Sequence, residues 1–583
     1  MSSVTLALVS IGLFFLGYRF YSRWIGEKIY ALRDKPEILP AHEFRDGMDY
    51  VPTKKHILFG HHYTSIAGAA PIIGPCVAAF WGWLPAILWV VLGTIFMGAV
   101  HDFGALVTSV REKGNSIADI SSSVLNGRVR LMFLSFVILL IWLVLAVFAM
   151  AIADLFVGVP TSVIPINIGI LVALAVGWLI YKRNFGSLIP SLAALFILYF
   201  FVWIGSKVPV DFTVAESAGG LGMAVQDAKN LWIILLLVYS AIASLLPVWT
   251  LLQPRDYINS HQLLVGLGLL FLGIFIAQPV VDAPALRTLS DPGAPPIFPL
   301  LFVTIACGAI SGFHGLVASG TTSKQLNKFE DSRLIGYGGM IGEGTLALAS
   351  TIAAVAGIAL VSSCTLPAVG AVHDLSWGVY YDSWAHASSN KAAAFVLGGG
   401  ALLESVGLSH ELAKTLMAVL VISFAATTLD TATRIQRFIL GEFGKVLKVR
   451  PLTNRYFATA IAILPACLLA FWNVSDPGTG VIKQAGWILW PIFGASNQML
   501  AALTLMILTL YYWQRKKPVL PLLIPMVFIT VVTCTALIGN ALRFYATNWV
   551  LFFLTLILMG MIVWMLVEGV LKVYFILKVR LSS

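Results

Sequence analysis

The chain is poor in charged residues. Of its 583 residues only 11% are Asp, Glu, Lys or Arg, whereas 59% are apolar or aromatic. A soluble globular protein carries about 25% charged and about 45–50% apolar residues. The composition therefore excludes a soluble enzyme, a disordered protein and a nucleic-acid binder, and it is typical of a polytopic membrane protein.

Motifs for disulfides, metals and catalysis are also missing. The five cysteines are scattered and form no CxxC pair, so neither a disulfide framework nor a zinc site is predicted. The sequence has no GxxxxGK[ST] and no GxSxG, which argues against an ATP-driven pump and a hydrolase. His61 and His62 are adjacent and do not share a helix face, so a metal site is disfavoured. We predict no enzymatic activity, no metal and no cofactor.

Long apolar runs are abundant. Those long enough to cross a membrane, or nearly so, fall at about 3–20, 64–80, 84–107, 131–153, 162–181, 187–205, 230–252, 262–281, 298–318, 337–361, 411–429, 455–472, 485–510, 519–540 and 548–571. The short run 393–403 predicts a re-entrant piece or a sixteenth helix. Because the runs are continuous rather than alternating, they predict an all-α membrane protein of about 15 transmembrane helices and exclude a β-barrel.

The positive charges predict the orientation. If the connections alternate sides, 30 of the 37 Lys and Arg residues fall on one side and 7 on the other. Cytoplasmic loops carry the excess of Lys and Arg. The N-terminus is therefore expected outside and the C-terminus in the cytoplasm.

Two apolar runs contain residues that break helices. In the stretch 60–75, Pro71 and Pro75 each remove a backbone donor, and Gly68 and Gly74 loosen the chain between them. The stretch 306–325 also contains a Gly-Ala pair followed by a second glycine. In the alternating topology, its helix crosses the membrane in the opposite direction to that of 60–75. Opposed broken helices are what an inverted repeat requires, and their ends direct backbone dipoles at a substrate. We expect the breaks themselves over 66–75 and 308–320, facing each other near the midplane. The alternative is a kinked helix whose small residues allow close packing.

Ionisable groups lie in or near the ends of the runs. A carboxylate within a membrane is costly and usually functional, and Glu343, in a Gly-rich turn, is the strongest candidate for a proton carrier. A structural carboxylate bound to backbone N–H groups is an equal alternative for Glu343. His101 and Asp102 form a second candidate pair, for a proton relay, although a polar pair at a helix end is the simpler interpretation. Asp430 is expected at a helix end with Arg434 four residues later, where a surface ion pair or a helix cap would explain the aspartate as well.

Neutral polar groups complete the candidate set. Thr321 and Thr322 lie in SGTTSK at the inner end of a run, where packing and capping are an equal alternative to substrate binding. Asn497 and Gln498 interrupt an apolar span, where hydrogen bonds to another helix are the simpler interpretation.

At these residues the chain resembles the carbon starvation protein A (CstA) family. The matching stretches are FGHHYTSIAGAAPIIGP (59–75), WGWLPA (81–86), GAVHDF (98–103), SGTTSKQL (319–326), GYGGMIGE (336–343), SFAATTLDTATRIQR (423–437) and LWPIFGASNQMLAALTL (489–505). The resemblance implies a transporter of the bacterial or archaeal inner membrane, made during carbon starvation, that takes up peptides or pyruvate, the latter with protons. It also implies an inverted-repeat core of the APC/LeuT type with extra flanking helices.

We therefore predict one integral-membrane domain over 1–583. It comprises a first span and cytoplasmic loop (1–63), a core that matches the family (64–510) and a two-helix extension (511–583). The expected partners are a small carboxylate substrate, protons and membrane lipid, with no nucleic acid. A channel and a membrane nutrient sensor without transport are the alternatives.

The residues expected to act are a substrate set and a proton set. The substrate set is Ser65, Gly68, Ala69, Gly74, Gly308, Gly312, His314, Thr321, Thr322, Asn497 and Gln498. The proton set is Glu343, Asp430, His101 and Asp102.

Overall fold

The chain is an all-α polytopic membrane protein, as the sequence predicts. The computed structural model describes residues 2–34, 36–215, 220–288, 294–366, 370–389, 392–475 and 482–582. Most of these residues are helical. The reason is that hydrocarbon offers no partner to the backbone, so each spanning segment must satisfy its own N–H and C=O groups.

The helices are numbered along the chain. The N-terminal group is α1 (Ser3–Leu16), α2 (Ser22–Lys28), α3 (Pro40–Glu43), α4 (Lys55–Ile66), α5 (Ala70–Ala78), α6 (Trp83–Gly93), α7 (Ala99–Arg111), α8 (Ile117–Val124) and α9 (Gly127–Gly158). The central group is α10 (Val163–Tyr181), α11 (Leu188–Gly205), α12 (Val225–Leu245), α13 (Leu252–Ala277), α14 (Ile297–Thr304), α15 (Ala306–Ala309), α16 (Gly312–Gly320), α17 (Gly339–Val355) and α18 (Trp377–Tyr380). The C-terminal group is α19 (Trp384–Ser389), α20 (Ala393–Glu404), α21 (His410–Leu447), α22 (Arg455–Phe471), α23 (Ala485–Gln514), α24 (Leu520–Tyr545) and α25 (Trp549–Ser582).

Within the described ranges, 12 continuous helical segments are long and apolar enough to cross a membrane, and the bent pair α4–α5 makes 13. Some segments exceed a single numbered helix, because π-helical turns at 17–21 and 94–98 join α1 to α2 and α6 to α7, and another at 333–338 precedes α17. The predicted run 298–318 is divided among the short helices α14, α15 and α16, and the predicted run 455–472 forms the 17-residue helix α22. The expected number of about 15 spans therefore remains a prediction, as does the inverted repeat. The run 393–403 forms the 12-residue helix α20.

The helices differ in how deeply they lie in the bundle. In the most apolar 18-residue stretch of α9, and in that of α21, 89% of the residues are buried, and in that of α23 all of them are. In the corresponding stretches of α10, α11 and α25, only 28–33% of the residues are buried. A helix that is apolar on all sides and buried by its neighbours belongs to the interior. The broken helices α4–α5 and α14–α16 pack among these interior helices.

Two small hairpins lie between helices. Strand β1 (Ser363–Leu366) pairs with β2 (Gly370–His373), and β3 (Asn473–Ser475) pairs with β4 (Ile482–Gln484), both antiparallel. The sequence predicted no strands, because these segments are short and lie in the connections between apolar runs.

Candidate functional site

The break in the first broken helix is shorter than the sequence predicts. Helix α4 ends at Ile66, α5 begins at Ala70, and the two are bent by 46°. The prolines led us to expect the break over 66–75. Pro71 instead lies in the first turn of α5, where a missing N–H leaves no acceptor unpaired, and Pro75 lies inside α5.

Gly68 lies at the break itself, and Ala69 is the residue that precedes the first turn of α5. A Cβ at Gly68 would lie 2.8 Å from the Thr428 hydroxyl and 3.3 Å from the Phe148 ring. Only a glycine therefore fits between these two side chains with the backbone where it is.

The second broken helix is interrupted twice. The helical path leaves its ordinary geometry at Ile305, between α14 and α15, and again at Ile310 and Ser311, between α15 and α16. The sequence placed this break over 308–320. That placement is wrong in extent, because Gly308 lies in α15 and Gly312–Gly320 is helical.

The two broken helices contact each other directly. A Cβ at Gly74 would collide with the Thr304 carbonyl oxygen, and a Cβ at Gly308 would lie 2.8 Å from Cβ of Ala347 and 3.6 Å from the Pro75 ring. Gly74 and Gly308 thus allow close approach between helices, which is the packing role that the sequence left open for them.

A small cavity, here named the central cavity, lies where the breaks meet. The first broken helix contributes Gly68, Ala70 and Pro71, the second contributes Cys307, Phe313 and His314, and the neighbouring helices add Phe148, Thr428 and Phe493. At the start of α5, Pro71 has no N–H and the N–H groups of Ile72 and Ile73 donate to the Ala69 carbonyl, which leaves the N–H of Ala70. No side chain caps α5. The cavity therefore combines one backbone donor with one imidazole.

His314 links the central cavity to two buried carboxylates. Its Nδ1 lies 3.0 Å from Oδ2 of Asp102, and its Nε2 lies 3.2 Å from Oε2 of Glu343. His101 approaches the other oxygen of Asp102, with Nδ1 2.7 Å from Oδ1. All four side chains are at most 1% exposed. The structure thus joins three residues of the predicted proton set with one from the substrate set.

The donors and acceptors of this chain require a shared proton. A carboxylate only accepts hydrogen bonds, so the Nδ1 of His314 donates to Asp102. The Nε2 of His314 then either carries a proton and faces an ionised Glu343, or carries none and faces a protonated Glu343. In both cases the His314–Glu343 pair holds one proton, in a buried position where an unpaired charge is costly.

Ser65 lies in a second buried polar cluster, on the face of α4 that also carries His61. Its hydroxyl is 3.3 Å from the Thr431 hydroxyl and 3.4 Å from Oδ2 of Asp256. The same Asp256 oxygen lies 2.5 Å from Nδ1 of His61. The neighbouring His62 faces a different way and pairs with the Thr322 hydroxyl at 2.9 Å. The two adjacent histidines thus serve different contacts, as their helix positions predict, and no metal-binding group is found among the described residues.

The expected pairing of Asp430 with Arg434 is wrong. Asp430 is 1% exposed and forms an ion pair with Arg255, and it accepts a hydrogen bond of 2.9 Å from the Tyr239 hydroxyl. Arg434 is buried as well and pairs with Asp49. The physical reason is that α21 continues to Leu447 inside the bundle, so that Asp430 is not at a helix end.

Asn497 holds the second break together. Its side-chain oxygen accepts a hydrogen bond of 2.9 Å from the backbone N–H of Phe313, and its amide donates to Ser311. The Gln498 amide donates to the Phe302 carbonyl at 2.8 Å. A Cβ at Gly312 would collide with Leu500. These contacts agree with the interpretation of Asn497 and Gln498 as hydrogen-bonding partners of another helix.

Thr321 and Thr322 lie beyond the C-terminal end of α16, away from the central cavity. The Thr321 hydroxyl donates to the Val317 carbonyl at 3.2 Å, and Lys324 places its ammonium 4.2 Å from the centre of the Phe438 ring. Both threonines are buried, and neither lines the central cavity.

Sequence reasoning missed Arg255 and Asp256, because it assigned 253–261 to a cytoplasmic loop. In the structure this segment is the buried start of α13. A signal was present: Arg255, Asn259 and Gln262 are spaced i, i+4 and i+7, which is the pattern of a polar helix face.

Comparison with known proteins identifies the family. The model of the family described as carbon starvation protein CstA matches residues 2–536. The peptide transporter CstA of Helicobacter pylori is 32% identical, with 91% of this chain and 81% of that protein covered. The pyruvate/proton symporter BtsT of Escherichia coli is also 32% identical, with 94% and 82% covered.

Among solved structures, a mutant of the manganese transporter of Eremococcus coleocola is similar with a TM-score of 0.45 and 13% identity, covering 91% of this chain and 99% of that one. The match to the family spans nearly the whole chain, and the sequence relatives exceed 30% identity over most of their own length. The chain belongs to the carbon starvation protein CstA family.

Proposed function

We propose that the chain is a secondary active transporter that couples the uptake of a small carboxylate, pyruvate or a short peptide, to the entry of protons during carbon starvation. The similar relatives, one named as a peptide transporter and one as a pyruvate/proton symporter, support this class of activity. The observation that carries the proposal is the position of His314, which lines the central cavity and contacts both Asp102 and Glu343.

The central cavity suits a carboxylate. Backbone N–H groups at a helix N-terminus favour anions, and α5 begins at the cavity wall without a cap. His314 lines the same cavity. In this proposal, the α5 end and the imidazole hold the substrate carboxylate between the two breaks.

Coupling follows from the shared proton. A carboxylate next to His314 favours the doubly protonated ring, and a proton on that ring strengthens the hold on the carboxylate. Thermodynamic reciprocity requires that each ligand promote the binding of the other to the same extent. Glu343 takes the proton when the substrate leaves, and Asp102 and His101 keep the ring in its orientation.

Pyruvate and peptides share the carboxylate, so this part of the proposal covers both substrates. A peptide also needs an acceptor for its amino group. Asp430 is already paired with Arg255, which leaves Glu343, in contact with the cavity-lining His314, as the candidate acceptor.

We place the transporter in the bacterial or archaeal plasma membrane with its N-terminus outside and its C-terminus in the cytoplasm. The uneven division of the 37 basic residues supports this orientation.

Uptake into proteoliposomes with an imposed proton gradient tests the proposal. Labelled pyruvate is compared with a labelled di- or tripeptide, with and without an uncoupler. We expect one of them to accumulate above its outside concentration and to leak out when the uncoupler is added. Equilibration without accumulation would identify a channel, and binding without entry would identify a sensor; either result rejects the proposal.

A further inference from the structure

Three buried residues tie the inner ends of the two broken helices together. Thr53, just before α4, donates its backbone N–H to the carbonyl of Gln325, just after α16, at 3.0 Å. The Gln253 amide, at the start of α13, donates to the Thr53 hydroxyl at 3.0 Å and to Oε1 of Gln325 at 2.7 Å. All three residues are at most 3% exposed. We name this network the inner latch, because the proposed orientation places it on the cytoplasmic side.

The inner latch and the central cavity lie at opposite ends of the same two helix halves. Helix α4 runs from the latch to the first break, and α16 runs from the second break to the latch. With 12 residues at 1.5 Å each, α4 is about 18 Å long. Every residue that lines the central cavity is buried. A substrate held there can therefore leave only after helices have moved apart.

A stripe of buried polar side chains, here named the polar stripe, leads from the central cavity toward the latch. Thr428, at the cavity, donates to the Ser65 carbonyl at 3.3 Å. One turn further inward along α4 and α21 come the Ser65–Thr431 contact and then the His61–Asp256 pair. Nε2 of His61 and Oδ1 of Asp256 have no hydrogen-bond partner within the described part of the chain. An unpartnered buried polar atom is costly, and water that enters an opened path would satisfy both atoms.

The bonds of the inner latch join neutral groups. The Tyr181 hydroxyl adds one more, to Oε1 of Gln253 at 2.6 Å. A bond between neutral groups is exchanged for bonds to water at a small net cost, whereas a buried ion pair is costly to separate. Just before the latch, the ion pair of Asp49 with Arg434 anchors the loop that leads to α4. The latch can therefore break and re-form while this loop stays attached.

We propose that the inner latch is the cytoplasmic gate of the transporter. In this structure it holds the start of α4 against α13 and closes the central cavity to the cytoplasm. When it breaks, α4 moves away from α13, water enters along the polar stripe, and the substrate leaves by that path. This assignment rests on the proposed function and orientation.

A disulfide across the latch tests the assignment. Thr53 and Leu326 pair as in a parallel β-bridge. Paired strands lie about 4.8 Å apart, which is within the reach of a disulfide. The variant Thr53→Cys with Leu326→Cys can therefore be closed by oxidation. The matched control is Val372→Cys, which lies opposite the native Cys364 in the β1–β2 hairpin, away from the latch.

Uptake of labelled pyruvate and of a labelled dipeptide into proteoliposomes is measured after oxidation and again after reduction. We expect the oxidised latch variant to lose nearly all uptake and to regain it on reduction, and the oxidised control to behave as the wild type does. Undiminished uptake, with the disulfide verified by mass spectrometry, would overturn the gate while leaving the proposed function intact. If the wild type takes up neither substrate, the proposed function fails and the gate with it.

A second variant opens the latch instead of locking it. Gln253→Leu keeps the size of the side chain and removes the amide. Ser65→Cys, on the polar stripe, reports opening by its reaction with a membrane-impermeant thiol reagent, and mass spectrometry identifies the labelled peptide. We expect Gln253→Leu to raise the labelling rate from the cytoplasmic side about tenfold. Gln436→Leu, which removes a buried amide bonded to the Ile138 carbonyl, should leave the rate unchanged. No increase with Gln253→Leu, or an increase from the outer side, would overturn the proposal.

Discussion

The Nε2 atom of His314 lies 3.2 Å from Oε2 of Glu343, and neither side chain is more than 1% exposed. Because His314 also lines the central cavity, this contact connects the place where a substrate would bind to the place where a proton is held. The proposed coupling depends on this one relationship.

Glu343→Gln should separate accumulation from exchange. Glutamine keeps the size of the side chain but cannot take up and release a proton, so the gradient can no longer drive uptake. We expect the accumulation ratio in proteoliposomes to fall to about one, while exchange of internal for external substrate continues. The exposed Glu411 gives the control Glu411→Gln, which should accumulate as the wild type does. Unchanged accumulation in Glu343→Gln would remove Glu343 from the coupling mechanism.

Gly68→Ala should weaken substrate binding. The new Cβ would lie 2.8 Å from the Thr428 hydroxyl, so the break between α4 and α5 must shift and the cavity wall with it. We expect the KM of uptake to rise about tenfold, which corresponds to about 1.4 kcal/mol. Adding Thr428→Ala should recover part of the loss. Gly127→Ala, where nothing lies within 4 Å of the Cβ, should have no effect on KM. A KM that stays at the wild-type value in Gly68→Ala would place the substrate elsewhere.

Asp430→Asn should act mainly on stability. It leaves the buried guanidinium of Arg255 without its counter-ion, and removing one partner of a buried ion pair costs about 3–5 kcal/mol. The double variant Arg255→Met with Asp430→Leu, which removes both charges, should recover much of that loss. Thermal unfolding of the purified variants in detergent measures both effects. If Asp430→Asn is as stable as the wild type but no longer accumulates substrate, Asp430 belongs to the proton pathway after all.

Much of the fold follows from the sequence, because the apolar runs are long and hydrocarbon admits few alternatives to a helix. Helix ends were predicted less well. The apolar run at 64–80 gave no sign that α4 begins at Lys55, since His56, His61 and His62 look like loop residues when their buried partners are unknown. The same reason placed 253–261 in a loop, although Asp256 and Arg255 are paired inside the bundle.

The candidate site was predicted in part. Glycine and proline marked the first broken helix and glycine the second, and the cost of a charge in a membrane drew attention to Glu343 and Asp102. The sequence gives no means of telling that His314 lies between these two carboxylates, because they are far apart along the chain and on different helices. It also could not separate Gly68, which lies at the central cavity, from Gly74 and Gly308, which allow helices to pack.

Asn497→Ala should destabilise the second break. The backbone N–H of Phe313 loses its acceptor and stays buried, which costs about 1–3 kcal/mol. Asn540→Ala is a suitable control, because within the described residues the Asn540 amide nitrogen has no partner to lose. Thermal unfolding should show a clear decrease for Asn497→Ala and little change for Asn540→Ala. Equal decreases would mean that Asn497 contributes only its volume.

The central claim is that substrate and proton cross the membrane together through the His314–Glu343 contact. The most direct measurement is the acidification of proteoliposomes that contain a trapped pH-sensitive dye, when pyruvate or a dipeptide is added outside. The account predicts that the transported substrate acidifies the lumen of wild-type vesicles, and that Glu343→Gln vesicles exchange the substrate without acidification. Entry of substrate into wild-type vesicles without protons, or equal acidification with both proteins, would contradict it.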